Sequence, residues 1–194
     1  MHNDLPFFTI VTPCFNSEKY IGKSIESVLN QTYKNFEYFI IDGDSNDSTN
    51  RIIESFGSKI NYTISEKDKG MYNALNKGFK KGKGEVFCYI NSDDILLPNT
   101  LAIVAEHFYF DQKCELIYGD MNIIDHRGEY RYTHCYRNIF RNEFVCDEAA
   151  LVGQPSAFWR RNIFFELDLF DTSFKMASDY DFFAKLIVKK KVKF

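Results

Sequence analysis

No stretch of about 18 uninterrupted apolar residues occurs in these 194 residues, so the sequence holds no helix fit to span a bilayer. An excess of positive charge is missing too. Lys and Arg number 24 against 27 Asp and Glu, a formal net charge of −3. That balance argues against nucleic acid as a partner held by a broad basic surface. Cys14, Cys88, Cys114, Cys135 and Cys146 are odd in number and contain no Cys-x-x-Cys pair. Zinc and redox motifs are thereby set aside, and buried free thiols in a reducing compartment are expected. Residues 1–6 lack the basic-then-apolar order of a signal peptide, so a cytoplasmic location is expected. Neither G-x-x-x-x-G-K-[ST] nor G-x-G-x-x-G occurs, which removes the glycine cradles most often used for phosphate. A diphosphate bound here would have to be held by a metal and a basic side chain.

What is present is an ordinary globular composition, 45% hydrophobic and 26% charged, in a chain long enough for one domain with a sizeable core. Apolar runs alternate with helix-spaced segments. Strands are expected at 7–12 (ended by Pro13), 36–41, 60–64 and 86–90. Helices are expected at 21–29, 48–56 with Asp47 as N-cap, 71–79 closed by Gly82 and Gly84, and from Pro98 to about 110. This order predicts a doubly wound, mostly parallel α/β sheet flanked by helices. The second half departs from it. Residues 116–124 and 130–134, around His126-Arg127-Gly128, suggest a small mixed β extension. Residues 140–150 suggest an active-site loop. A strand at 156–159, a short helix from Asn162 and a last helix at 178–188 complete the reading. The lysine-rich end carries no closing element, as in a fragment of a longer protein. Those lysines read as a solvated end or as a contact for an anionic membrane surface.

Ligands of open α/β sheets bind at the carboxyl ends of the strands. Four such ends here carry polar or acidic residues. They are Thr12 to Asn16, Asp42 to Ser48, Ser65 to Gly70, and Asn91-Ser92-Asp93-Asp94. Each alone reads equally as turn chemistry. The adjacent acids Asp93 and Asp94 also read as a site for Mg²⁺ or Mn²⁺ carrying a diphosphate.

The segments FTIVTPCFN (from Phe8), EYFIIDGDSNDST (from Glu37) and SEKDKGMYNALNKG (from Ser65) resemble glycosyltransferase family 2. So do NSDD (from Asn91), GQPSAFW (from Gly153) and ASDYD (from Ala177), in the family's order along nearly the whole chain. The resemblance implies a GT-A fold and inverting transfer from a nucleotide sugar, a UDP-sugar, to a saccharide or lipid-linked acceptor in polysaccharide assembly. It implies that residues 1–96 bind the donor and 97–194 form the acceptor side of a single domain. Carried over by position, Thr12, Pro13 and Phe15 line the base pocket. Asp42 bonds the base and Asp44 and Asp68 lie nearby. Lys69 or Lys77 reaches the diphosphate. Asp93 contacts the ribose and metal, Asp94 ligates Mn²⁺ or Mg²⁺, and Asp179 is the general base, with Asp181 the alternate. Where many relatives have Glu before that base, Ser178 stands here.

By sequence physics alone, Asp179 and Asp181 also suit a first helical turn. Trp159 reads either as a core aromatic or as an acceptor-stacking platform. Two other functions compete. A sugar nucleotidyltransferase needs a glycine-rich basic loop where Pro13-Cys14-Phe15-Asn16 stands. A non-catalytic nucleotide-sugar-binding domain would bind donor without turnover.

Overall fold

A computed structural model describes residues 4–136 and 152–190. Its first eight elements alternate as the hydrophobic pattern predicts. They are β1 (Phe8–Cys14), α1 (Ile21–Leu29), β2 (Phe36–Asp42), α2 (Thr49–Ser55), β3 (Tyr62–Ser65), α3 (Met71–Lys81), β4 (Val86–Tyr89) and α4 (Thr100–Phe110). Then come β5 (Leu116–Ile117), β6 (Met121–Ile124), β7 (Tyr130–His134), β8 (Phe158–Arg160), α5 (Arg161–Glu166) and α6 (Ser178–Lys190). The main sheet runs β3-β2-β1-β4-β8-β5. Strands β1 to β4 are mutually parallel, and β8 is antiparallel to both β4 and β5. The hairpin β6–β7 stands apart as the expected small β extension.

Strands covered on both faces read as continuous apolar runs, and β1 shows why. Ile10 packs with Tyr38, Ile25, Val28 and Phe108 on the α1–α4 side. Its neighbour Val11 packs with Phe39, Leu75, Phe79 and Phe87 on the other side. This second core holds a cluster of rings. Trp159 is 0% exposed, with Phe79 and Phe182 centroids 5.6 and 5.5 Å away. It is therefore a core aromatic, and the acceptor-platform alternative does not hold.

Helix α3 lies unusually close to β1. A Cβ on Gly78 would meet Val11 Cγ1 at 2.7 Å, and one on Gly82 would meet Thr9 Cγ2 at 2.6 Å. The space at Gly84 is tighter still, for a Cβ there would lie 2.3 Å from the Thr9 backbone nitrogen. Buried Glu37 locks this corner. Its Oε1 accepts from the Thr9 hydroxyl at 2.6 Å and from the Gly84 N–H at 3.3 Å. Gly82 thus ends α3 through close packing, its φ of −64° being available to any residue.

Several boundaries differ from the expected ones. Strand β1 continues through Pro13 to Cys14. Val11 gives its carbonyl to Ile90 and Cys14 to Gly43. Alternation therefore turns the missing Pro13 N–H toward β4, whose pairing has already ended at Tyr89. Pro98 precedes α4 instead of opening it. Its carbonyl and that of Leu97 are bound by Thr32 N–H and Gln31 Nε2, and Asn99 takes the N-cap position. A 3-10 turn at Gly57–Lys59 delays β3 to Tyr62. Ser48 occupies the α2 cap position, while Asp47 Oδ1 accepts from the Thr49 N–H. Residues 116–124 divide near Gly119, whose carbonyl accepts the Ser156 hydroxyl at 2.6 Å. A 3-10 turn at Gln154–Ser156 moves β8 to Phe158.

Cys14 and Cys88 are buried as expected, but Cys114 is only half-buried and Cys135 is exposed. Cys146, the 140–150 loop and the terminal lysines from 191 onward lie outside the described residues. Among the described residues, no helix is long and apolar enough to cross a membrane.

Gly84→Ala is expected to destabilise the protein by about 1–3 kcal/mol through overpacking against the Thr9 backbone. Gly119→Ala, with nothing within 4 Å, should be nearly neutral. Urea denaturation of the two variants checks the contrast.

Candidate active site

The parallel register brings the four polar loops to one edge, and hydrogen bonds tie them together. Asn16 adopts φ 49° and Asp44 φ 70°, left-handed conformations that Asn and Asp tolerate. Asn16 Oδ1 accepts from the Asn46 N–H at 3.0 Å, and Ser45 Oγ accepts from the Asn16 N–H at 2.8 Å. Ser17 and Ser92 share a hydroxyl contact at 2.8 Å, which joins the β1 and β4 loops.

Asp42 is the centre of this stitching. It is buried, and its Oδ2 accepts from the Ser45 N–H (2.9 Å), Asn50 Nδ2 (3.0 Å) and the Ser65 hydroxyl (2.6 Å). Its Oδ1 accepts from the Ser45 hydroxyl and from the Cys14 thiol. Burial works against its charge, but the donors of Ser45, Ser65 and Asn50 together outweigh it and hold the carboxyl below its ordinary value. Burial, then the Asp42 charge, push the Cys14 thiol up, so it stays protonated. Contact between Asp42 and a nucleobase would have to displace one of these protein donors.

The other expected donor residues fall into two groups. Thr12 and Pro13 are buried, and the Thr12 hydroxyl lies 2.9 Å from Tyr38 OH, so the Thr12 side chain faces the interior. Phe15 is 61% exposed at the lip of the edge, where a flat ring can stack on a base. Asp44 and Lys69 are exposed. Asp68 takes the Gly70 N–H at 2.7 Å and stands beside Gly43, where a Cβ would come within 3.1 Å of its Oδ2. Lys77 is bound by Glu66 at 2.8 Å, which leaves Lys69 the better placed of the two lysines.

Asp93 is exposed and Asp94 half-buried. Burial, followed by the charge of Asp93, pushes the Asp94 carboxyl up to about 6. Among the described residues, no cluster of three or more His, Cys, Asp or Glu side chains stands ready for a metal. Two neighbouring carboxylates with an uncompensated charge nevertheless suit Mg²⁺ or Mn²⁺. Such ions commonly take one or two carboxylates and complete their shell with substrate phosphates and water. Asn91 Nδ2 donates to Asp94 Oδ2 and to Gln154 Oε1, each at 3.0 Å. Gln154 Nε2 in turn donates to the Tyr89 carbonyl at 2.8 Å.

Asp179 stands in the first turn of α6, half-buried. Tyr72 OH donates to its Oδ1 at 2.8 Å and Tyr89 OH to its Oδ2 at 3.1 Å. Burial and then Asp179 push the Tyr72 hydroxyl up to about 12, so it remains a donor. The same causes raise Tyr89 well above its ordinary value. Asp181 instead pairs with Lys185 one turn along the helix. Asp179 is thus fixed at the strand edge, and Asp181 is engaged within its own helix. Tyr72, Asn91 and Gln154 fall inside the matched segments but are given no role by the sequence, and neither is Tyr89, although a tyrosine inside an apolar strand signals a buried hydroxyl in need of a partner.

Asp42→Asn is expected to cost about 1.5–3 kcal/mol at neutral pH, because an amide cannot accept from all these donors. The Asp42 carboxyl is depressed in the folded state, so its stabilisation is present above the unfolded value of about 3.9 and is lost as pH falls through the folded value. Urea melts across pH should therefore show a constant gap between variant and parent near neutrality that narrows in acid.

Comparison with known proteins bears on the whole arrangement. The profile described as glycosyl transferase family 2 matches residues 9–175. A glycosyltransferase of Rickettsia typhi is 30% identical over 192 residues, covering 94% of this chain and 59% of its own length. The chain spans only 27% of a longer Rickettsia bellii relative. S. aureus TarS 1-349 in complex with UDP has a TM-score of 0.69 at 23% identity, over 91% of this chain and 53% of that one. The mannosyltransferase PcManGT from Pyrobaculum calidifontis, solved with GDP-Man and Mn²⁺, has a TM-score of 0.64 at 18% identity, over 88% of this chain and 49% of that one. At such identities the structural likeness speaks for the fold, which is GT-A-like. The profile spans the strand-edge loops, β4 and the segment before α6, and on that match the chain belongs to glycosyltransferase family 2.

Proposed function

We propose that this chain transfers a sugar from a nucleotide diphosphate, a UDP-sugar, to a hydroxyl of a saccharide or lipid-linked acceptor, with inversion at the anomeric carbon. The carrying observation is the placement of Asp179, whose carboxylate is held by the hydroxyl of Tyr72 on α3 and by that of Tyr89, the last residue of the strand that leads into Asp93 and Asp94. Relatives lend support: TarS has been solved with UDP and with UDP-GlcNAc, and the mannosyltransferase with GDP-Man and Mn²⁺. In this reading residues 1–96 serve the donor and 97–194 the acceptor.

Asp94, with Asp93 beside it, would hold Mn²⁺ or Mg²⁺, which when bound supplies positive charge to the leaving diphosphate. Phe15 stacks on the base while Asp44 and Asp68 border it, and Lys69 reaches toward the phosphates. Asp93 also orients the ribose. Asp179 takes the proton of the acceptor hydroxyl as that oxygen bonds to the anomeric carbon. The bond from that carbon to the diphosphate oxygen breaks in the same displacement, and its electron pair leaves with the nucleotide. Tyr72 and Tyr89 keep the Asp179 carboxylate oriented while it accepts the proton. General-base assistance of this kind contributes about 10²–10⁴-fold.

Asp94→Ala is expected to abolish the Mn²⁺-dependent part of UDP binding. Calorimetry with and without the metal measures it, and an unchanged affinity would remove Asp94 from the metal site. Asp179→Asn should keep UDP binding and lose transfer by about 10²–10⁴-fold in a nucleotide-sugar turnover assay. Full turnover in that variant would move the base to Asp181. Tight UDP binding by the parent with no turnover of any nucleotide sugar would indicate a donor-binding domain without catalysis.

A further inference from the structure

A cleft of about 410 Å³ opens beside the acid pair, between the start of α1, the Asp93–Asp94 turn and the tip of the β6–β7 hairpin. Its volume lies in the range of small-ligand sites, about 300–1,000 Å³. Phe15, Asp44, Asp68 and Asp179 do not line it, so it meets the donor edge only at the two acids. The remaining charge on its walls is what marks it.

Three cations, Lys19, Lys23 and Arg127, face three acids, Asp93, Asp94 and Asp125. Each acid has another partner. Asp125 forms an ion pair with Arg131, and it also accepts the Arg127 and Glu129 N–H groups at 2.8 and 3.0 Å. Asp93 and Asp94 are committed to the dication in the function proposed above. Among the described residues, none of the three cations belongs to a salt bridge. With a metal in place, the cleft therefore carries an unanswered positive charge from two separate elements. The hairpin tip is an ordered turn, closed by Gly128 N–H to the Asp125 carbonyl at 2.8 Å with Gly128 at φ 85°. Arg127 is thus presented on a fixed support. A guanidinium beside two ammonium groups suits a phosphate, which Arg binds bidentately and Lys as a point charge.

We propose that this cleft seats a phosphate group carried by the acceptor. The inference rests on the glycosyl-transfer reading, and it adds a chemical class to an acceptor defined so far only by its hydroxyl. Its far wall belongs to the hairpin, outside the donor half, which favours the acceptor over the donor diphosphate as the source of the phosphate.

The test uses the full chain saturated with UDP and Mg²⁺ and titrated with glycerol 3-phosphate by calorimetry. Saturable binding on top of bound UDP is expected. The double variant Lys23→Ala with Arg127→Ala should weaken it about tenfold and leave UDP affinity unchanged to within about twofold. Lys23→Arg in the parent should keep it, which separates charge from folding effects. Competition between glycerol 3-phosphate and UDP, or a matching loss of UDP affinity in the double variant, would assign the cations to the donor diphosphate and overturn the proposal. Absent or variant-independent phosphate binding would also overturn it. Failure of the parent to bind UDP would count against the donor reading. In that case titration of glycerol 3-phosphate into the chain with Mg²⁺ and no UDP still reads the cleft, and loss of phosphate binding in the double variant remains the expected result.

Discussion

The Asp42 carboxylate is the interaction on which the strand edge depends. It ends β2 and draws donors from the following loop, from α2 and from the end of β3, with the Cys14 thiol of β1 alongside. A buried carboxylate without such donors would be costly, so loop conformation and charge stabilise each other. The loops around Asp44 and Asp68 are shaped by this buried group, while their own acids remain nearer to solvent. Residues that look alike in sequence therefore divide into one that organises the edge and others that can meet a ligand.

The two cores divide the labour in a similar way. The side covered by α1, α2 and α4 is mostly aliphatic, whereas the side covered by α3, α5 and α6 is packed with rings around Trp159. At the edge of this ring cluster, Tyr72 and Tyr89 turn their hydroxyls to Asp179 and so convert core packing into orientation of a carboxylate. Asn76 reinforces the same region by bonding Phe170 through both its amide nitrogen and its oxygen, at 2.8 and 3.1 Å. The position of the proposed base thus follows from close packing of α3 on the sheet, which glycine at 78 permits.

Much of this is legible in the sequence, for identifiable reasons. Strands covered on both sides leave continuous apolar runs, and β1, β2 and β4 stand out accordingly. Pro98 is misleading because the carbonyls before the helix are claimed by Gln31 and Thr32, side chains some 66 residues away in sequence. Thr12 is misleading because alternation alone does not say which face of a doubly covered strand meets a ligand. The acids at 93, 94 and 179 are legible as candidates. Their supports, Asn91, Gln154, Tyr72 and Tyr89, are not, because each acts through a partner brought near only by folding.

Tyr89 and Asn91 are two residues apart, and an extended chain of two residues spans at most about 7 Å. One of them holds the carboxylate at the α6 end, and the other holds the acid beside the β4 turn. The interval between the two acidic centres is therefore gauged by a short piece of backbone. A single inserted residue would reverse which face the next side chain takes, and both grips would not survive it. The β4 segment is therefore fixed in length as well as in these two side chains, while a change of length at the β6–β7 tip leaves that gauge undisturbed.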